Sequence, residues 1–223
     1  MTVAALCFDL DGTLVDSAAG VALALNTALA EDGLPPFELA TVRGWIGDGP
    51  DALIARALDA SGLHELPALA ARMRLRFDAA TLAAPSAQGK AYPGIAALLA
   101  RLAGRYPMAV VTNKPTPLAR AVLDAAGLLE HFAQLHGADT AAQRKPSPLL
   151  IQQAARRFGI SAASVLMVGD GPADLASASA AGSPAAWAAW GYGPAPAALA
   201  GVWRLDRPAD LLARLTARTP IHQ

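Results

Sequence analysis

Residues 3–8, VAALCF, form a short apolar run that ends on two carboxylates two positions apart, Asp9 and Asp11. The run is too short for a core helix and predicts a buried central strand. Side chains at i and i+2 of a strand point to the same side. Like charges gathered at a strand end repel, unless a cation or a chemical task holds them there. Gly12 then permits a sharp turn, and Thr13 offers a hydroxyl able to orient a neighbouring carboxylate. Read alone, the segment is also compatible with an ordinary Asp-Gly turn closing a strand.

The same kind of run recurs at MAVV (108–111) and SVLMV (164–168). Between the runs lie stretches of helical length, Ile95–Ala103, Leu118–Ala126 and Pro148–Phe158. Strands alternating with helices predict an α/β fold, a Rossmann-like parallel sheet covered on both faces. Ligands of such sheets bind outside the carboxyl ends of the strands, where Asp9, Thr112 and Asp170 each fall. One region breaks the alternation. Ala19–Glu31, Pro50–Ala60 and Leu66–Leu82 read as helices with no strand among them, and AAPSAQGKAYPG (83–94) has the composition of a return linker. The expected organisation is a core formed by residues 1–17 and 88–223, with a small helical cap domain, 18–87, inserted after the first strand.

With 223 residues the chain has length for one large domain or for a core with an insert. Charged residues make up 16% and the formal net charge is zero, so no basic face suits nucleic acid or an anionic membrane. Phosphate recognition, if present, must come from a few placed groups. No charge occurs from Leu175 to Trp203, but Gly182, Pro184, Gly191, Gly193, Pro194 and Pro196 interrupt that stretch too often for a spanning helix. No basic, cleavable leader precedes the first strand. A soluble, cytoplasmic protein is expected. Cys7, the only cysteine, lies inside the first strand and reads as a buried, inert thiol.

Four segments together could supply one phosphoryl-transfer site. Beside Asp9 and Asp11, VVTNK (110–114) ends a strand on Thr112 and Asn113, whose hydroxyl, amide and backbone donors suit phosphate oxygens. RKPSP (144–148) presents Lys145 ahead of a proline that favours an extended backbone. MVGDGPADL (167–175) places Asp170 after a strand and Asp174 four residues on, on one face if a helix begins there. Singly, Thr112 could be a turn residue, Lys145 a solvated charge and Asp170 a helix N-cap. Their joint arrival at strand ends is what favours a site.

The order DxDGT, TN, KP and GDxxxD resembles the haloacid dehalogenase superfamily over essentially the whole chain. Within it, RGWIGDGPDALIARAL (43–58), AVVTNKPTPLA (109–119) and RKPSPLL (144–150) resemble bacterial phosphoglycolate phosphatases. The resemblance implies a Mg²⁺-dependent phosphatase of a small phosphorylated metabolite, 2-phosphoglycolate first, working as monomer or homodimer. Asp9 would attack phosphorus and form an aspartyl-phosphate. Mg²⁺ would be held by Asp9, Asp170 and the backbone carbonyl of Asp11, an oxygen set suited to a hard cation. The Asp11 side chain would protonate the leaving group and then activate water. Thr112, Asn113 and Lys145 would hold the phosphoryl oxygens, while Asp174 and Thr13 orient the groups around them.

The acid at Asp11 argues against a dehalogenase, whose halide leaving group needs no proton. The alternatives are a phosphatase of a sugar phosphate or pyrophosphate, a sugar-phosphate mutase, or an interaction module on a retained fold. Arg43 is the cap residue suited to a substrate carboxylate or distal phosphate. Two positions depart from the resembled pattern. Asp48 replaces asparagine and would repel an anionic substrate unless Arg43 pairs with it, and Gly171 replaces a serine hydroxyl.

Overall fold

The structure, a computed structural model, describes residues 2–198 and 200–216. Met1, Leu199 and residues 217–223, which the sequence assigns to the core, lie outside the described residues. The chain opens with β1 (Ala5–Phe8) and a two-residue strand, β2 (Val15–Asp16). Helices α1 (Ala18–Ala30), α2 (Leu39–Arg43), α3 (Pro50–Ala60) and α4 (Pro67–Ala83) follow, and then β3 (Lys90–Ala91). The rest alternates: α5 (Ile95–Leu102), β4 (Met108–Thr112), α6 (Thr116–Ala125), β5 (Gln134–Gly137), α7 (Leu149–Phe158), β6 (Val165–Gly169) and α8 (Pro172–Ala181). It continues through β7 (Ala185–Ala188) and β8 (Val202–Leu205) to α9 (Ala209–Thr216).

Among the described residues the main sheet has six strands in the order β5-β4-β1-β6-β7-β8, all parallel. β1 has apolar side chains on both faces because helices cover both. Leu6 and Phe8 point into a core with Ile95, Leu99 and Leu123, whereas Ala5 and Cys7 point into a second core with Ile151 and Ala154. Phe8 registers with Val110 on one side and Val168 on the other. The chain builds β4 and β5 on one flank of β1 and then crosses to build β6, β7 and β8 on the other, so a crevice opens at the carboxyl end of β1. Asp9, Thr112 and Asp170 are delivered to that crevice side by side.

The helices α1–α4 lie between β2 and β3, which pair antiparallel (Val15 with Ala91, Asp16 with Lys90) as a narrow neck. They enclose their own apolar cluster around Leu25, Leu29, Ile54, Met73 and Phe77, to which α6 contributes Leu118. Arg76 ties α4 to Glu31 and Asp32 at the end of α1. Gly20 of α1 sits against the return segment, where a Cβ would lie 2.3 Å from the Cα of Gln88.

The sequence reading left β5, β7 and β8 unassigned, along with the neck strands and the short α2. β7 is AAWA and β5 is QLHG, which lack the β-branched runs that mark strands in a sequence. Their strand geometry comes from pairing with neighbours already in place. Among the described residues no helix is long and apolar enough to cross a membrane.

Two outcomes test this packing. Gly20→Ala should destabilise the protein by about 1–3 kcal/mol in urea denaturation, because α1 must shift off residues 87–88. Cys7 is fully buried, and burial pushes its thiol up to about 12 despite the opposing charge of Lys145. A disulfide reagent at pH 8 should leave the native protein unlabelled and titrate one thiol after denaturation.

Candidate active site

Asp9, Asp170 and Asp174 are buried together, with one carboxylate oxygen of each within 4.8 Å of the others. The cation among them is Lys145, 3% exposed. Its Nζ donates to Asp174 Oδ1 (2.6 Å) and to the carbonyl of Val111 (3.1 Å), and lies 2.8 Å from Asp9 Oδ1. Burial alone would favour the neutral amine, but Asp174 and Asp9 outweigh it and hold the ammonium above its usual value. Burial pushes the Asp9 and Asp174 carboxyls up, with Lys145 opposing in each case.

Asp174 meets Asp170 by a route other than the shared helix face expected from their spacing. α8 begins at Pro172, so Asp170 precedes it and Gly171 is the cap. Asp174 Oδ2 accepts the backbone N–H of Gly171 at 3.0 Å, which turns the acid back toward the strand end. A Cβ at Gly171 would meet only Asp174 Oδ2, at an ordinary 3.5 Å, so the missing serine is not imposed by space.

Asp170 is held on every side. Oδ1 accepts the Thr13 hydroxyl at 3.0 Å, and Oδ2 accepts the N–H groups of Tyr192 (2.7 Å) and Gly193 (3.1 Å). Its carbonyl accepts the indole N–H of Trp187. Burial and the neighbouring Asp9 raise this carboxyl, while the three donors act against them. The cradle requires glycine. Gly12 has φ +82°, and a Cβ on Gly191 would stand 2.2 Å from that of Asp170.

Asp11, partly buried, has a lysine of its own. Lys114 Nζ donates to Oδ2 (2.9 Å) and Oδ1 (3.1 Å), and the Ser17 hydroxyl donates to Oδ1 (2.6 Å). Lys114 was not singled out in the sequence, although its position two residues beyond Thr112 placed it at the same strand end. Its backbone N–H donates to Thr112 Oγ1 at 3.2 Å, which leaves the threonine proton for an acceptor in the crevice. The Asn113 side chain bridges two neighbouring loops. Its Oδ1 accepts the N–H of Lys145 (2.7 Å), and its Nδ2 donates to the carbonyls of Gly47 (2.9 Å) and Lys145 (3.3 Å). Both amide protons are committed, so the side chain seats the Lys145 loop instead of offering donors to a phosphate.

The helical insert closes the crevice from above. The cavity, about 340 Å³, is lined by Asp9, Asp11, Asp170 and Asp174 from below and by Arg43, Gly47, Asp48 and Arg56 from the insert. Asp48 pairs with Arg56, eight positions along the same segment, and not with Arg43. Arg43 instead lies 4.9 Å over the ring of Tyr192 and has no carboxylate partner among the described residues. The insert is further tied to the core by the ion pair of Asp51 with Arg144.

Four carboxyls face two buried ammoniums here, so acidic groups outnumber the buried cations that balance them. Asp9 Oδ1 is a buried acceptor with no aligned hydrogen-bond donor, although Lys145 is close. An all-oxygen donor set with that acidic excess fits a hard divalent cation. Gly191→Ala should displace Asp170 and weaken divalent-metal binding at least about ten-fold by titration calorimetry, the size of loss typical when ligand-orienting groups are disturbed.

Residues 3–182 match the model of the haloacid dehalogenase-like hydrolases. The phosphoglycolate phosphatase of Rhodospirillum rubrum is 44% identical over 202 residues, covering 88% of this chain and 84% of that protein. That of Yersinia pseudotuberculosis is 38% identical over 188 residues, 84% of this chain and 81% of that protein. A crystal structure described as a predicted phosphoglycolate phosphatase from Haemophilus somnus superposes with a TM-score of 0.88 at 30% identity, covering 96% of this chain and 98% of that one.

Proposed function

The chain belongs to the haloacid dehalogenase-like hydrolases and is a phosphatase, and we propose that it hydrolyses 2-phosphoglycolate with Mg²⁺ through an aspartyl-phosphate on Asp9. The observation that carries this reading is the pair Asp9 and Asp11, side by side at the sheet's switch point, each engaged by a different buried lysine. Asp9 Oδ1 lies 2.8 Å from the Lys145 ammonium, which holds the carboxylate in place for attack.

An Asp9 carboxylate oxygen attacks phosphorus in line with the leaving alkoxide, and the P–O ester bond breaks as the aspartyl P–O bond forms. The alkoxide takes its proton from Asp11. Asp11 then removes a proton from water, which attacks phosphorus and returns Asp9 as a free carboxylate. Lys145 and the Thr112 hydroxyl hold the phosphoryl oxygens, an electrostatic task served by burial. Asp174 positions Lys145, Thr13 positions Asp170, and Asn113 seats the Lys145 loop. Asp9, Asp170 and the Asp11 carbonyl would hold Mg²⁺, which would supply charge neutralisation for the attack.

Residues 18–87 act as the cap over this chemistry, with residues 1–17 and 88–223 as the core. Arg43, facing the cavity without a carboxylate partner, takes the substrate carboxylate, and the added charge of Asp48 is offset by Arg56. A small metabolite suits a cavity of this size and a chain of zero formal net charge, acting in the cytoplasm as monomer or homodimer.

The test is a phosphate-release assay with Mg²⁺ across 2-phosphoglycolate, sugar phosphates, pyrophosphate and nucleotides, with 2-phosphoglycolate expected to give the highest kcat/KM. Asp9→Asn should fold normally by circular dichroism yet lose turnover; near-normal activity would remove Asp9 from the mechanism. Arg43→Met should raise KM for 2-phosphoglycolate roughly ten-fold, the scale of one lost charged hydrogen bond, and leave esters without a carboxylate little changed.

A further inference from the structure

Among the described residues Lys114 is the one buried cation at the crevice to which the mechanism above gives no step. It projects from the end of β4, is 5% exposed, and its ammonium spans both oxygens of Asp11 at 2.9 and 3.1 Å. Burying a lysine costs desolvation and side-chain freedom, so its ammonium is stable there only against a close counter-charge. That counter-charge is Asp11.

Among the described residues the only other side chain bonded to Asp11 is Ser17, whose hydroxyl reaches Oδ1 at 2.6 Å from the neck where the chain enters α1. Ser17 and Lys114 approach the carboxylate from different segments and together fix its plane. The lysine's own root is fixed in turn, because its backbone N–H is bonded to Thr112 Oγ1. Thr112 and Lys114 are thus locked to each other, so the phosphate-facing hydroxyl and the clamp on Asp11 keep a constant relation.

We propose that Lys114 is a positioning residue for proton transfer, holding the Asp11 carboxyl at the leaving-group oxygen. The proposal rests on the reading of Asp9 and Asp11 given above. Its consequence depends on the ester. An alkoxide leaves only if protonated, so misplacing Asp11 slows it greatly, whereas a p-nitrophenolate leaves without a proton. A lysine that merely stabilised the fold would affect both esters alike.

The experiment measures kcat/KM, which reports the leaving-group step and not the aspartyl-phosphate hydrolysis that both esters share, for the Mg²⁺-loaded enzyme on 2-phosphoglycolate and on p-nitrophenyl phosphate, in wild type, Lys114→Met, Asp11→Asn and the double variant. Lys114→Met should lower kcat/KM on the alkyl ester by about 100-fold, at the lower end of what a positioned acid contributes, and on the aryl ester by less than about three-fold. In the Asp11→Asn background the same change should add nothing selective, because the residues act as one unit. Equal losses on both esters, or a full further alkyl-selective loss in the double variant, would overturn the proposal. Should Lys114→Met alone fail to fold, the double variant, which removes both charges at once, is compared with Asp11→Asn: equal kcat/KM values support the proposal, and an extra alkyl-selective loss overturns it. A wild-type enzyme inactive on both esters overturns the underlying reading of the site; an active one with equal losses overturns the role of Lys114 alone.

Discussion

Four aspartates gathered at the carboxyl ends of parallel strands, opposed by only two buried lysines, set the terms for the rest of this molecule. Such a cluster is unstable unless each charge is met by a partner and each remaining lone pair by a donor. The fold answers with local devices. Asp170 is surrounded by backbone N–H groups and glycines, Asp174 is turned back by the start of α8, and each carboxylate of the first pair has its own ammonium. What remains uncompensated is an excess of acidic groups over buried cations and a buried oxygen of Asp9 without an aligned donor. The excess is where metal and phosphate chemistry enters.

The helical insert depends on the same cluster. The Asn113 amide grips the Lys145 loop with one face and the carbonyl of Gly47 in the insert with the other, so the charged centre and its cover share one residue. Tyr192 has a comparable position on the opposite side. Its N–H holds Asp170, its hydroxyl donates to Asp16 in the neck and accepts from the N–H of Ala18, and its ring carries Arg43. Arg43 and the neck are thus anchored to the same residue that holds Asp170.

The sequence made the chemistry legible where an apolar run ends in a charge, because both the strand and the direction of its end residues follow from short-range pattern. Asp9, Asp11, Thr112 and Asp170 were found that way. Lys114 was not, since a lysine in a strand-to-helix loop is ordinarily solvated and nothing local shows that Asp11 will be opposite it. The side-chain bonds of Asn113 were also illegible, because its partners are backbone atoms of two distant loops. The pairing of Asp48 with Arg56 instead of Arg43 is likewise decided by the path of the chain between α2 and α3. β7 stayed hidden because alanine marks neither strand nor helix by period, and only the neighbouring strands make it one.

The central claim is that Asp9 receives the phosphoryl group. The most direct measurement is rapid acid quench of the Mg²⁺-loaded enzyme during turnover of ³²P-labelled 2-phosphoglycolate, followed by mapping of the labelled peptide. The account predicts an acid-stable, hydroxylamine-sensitive acyl phosphate on Asp9, formed at least as fast as phosphate release. Turnover without labelled protein at any quench time, or label mapping to another residue, would contradict it.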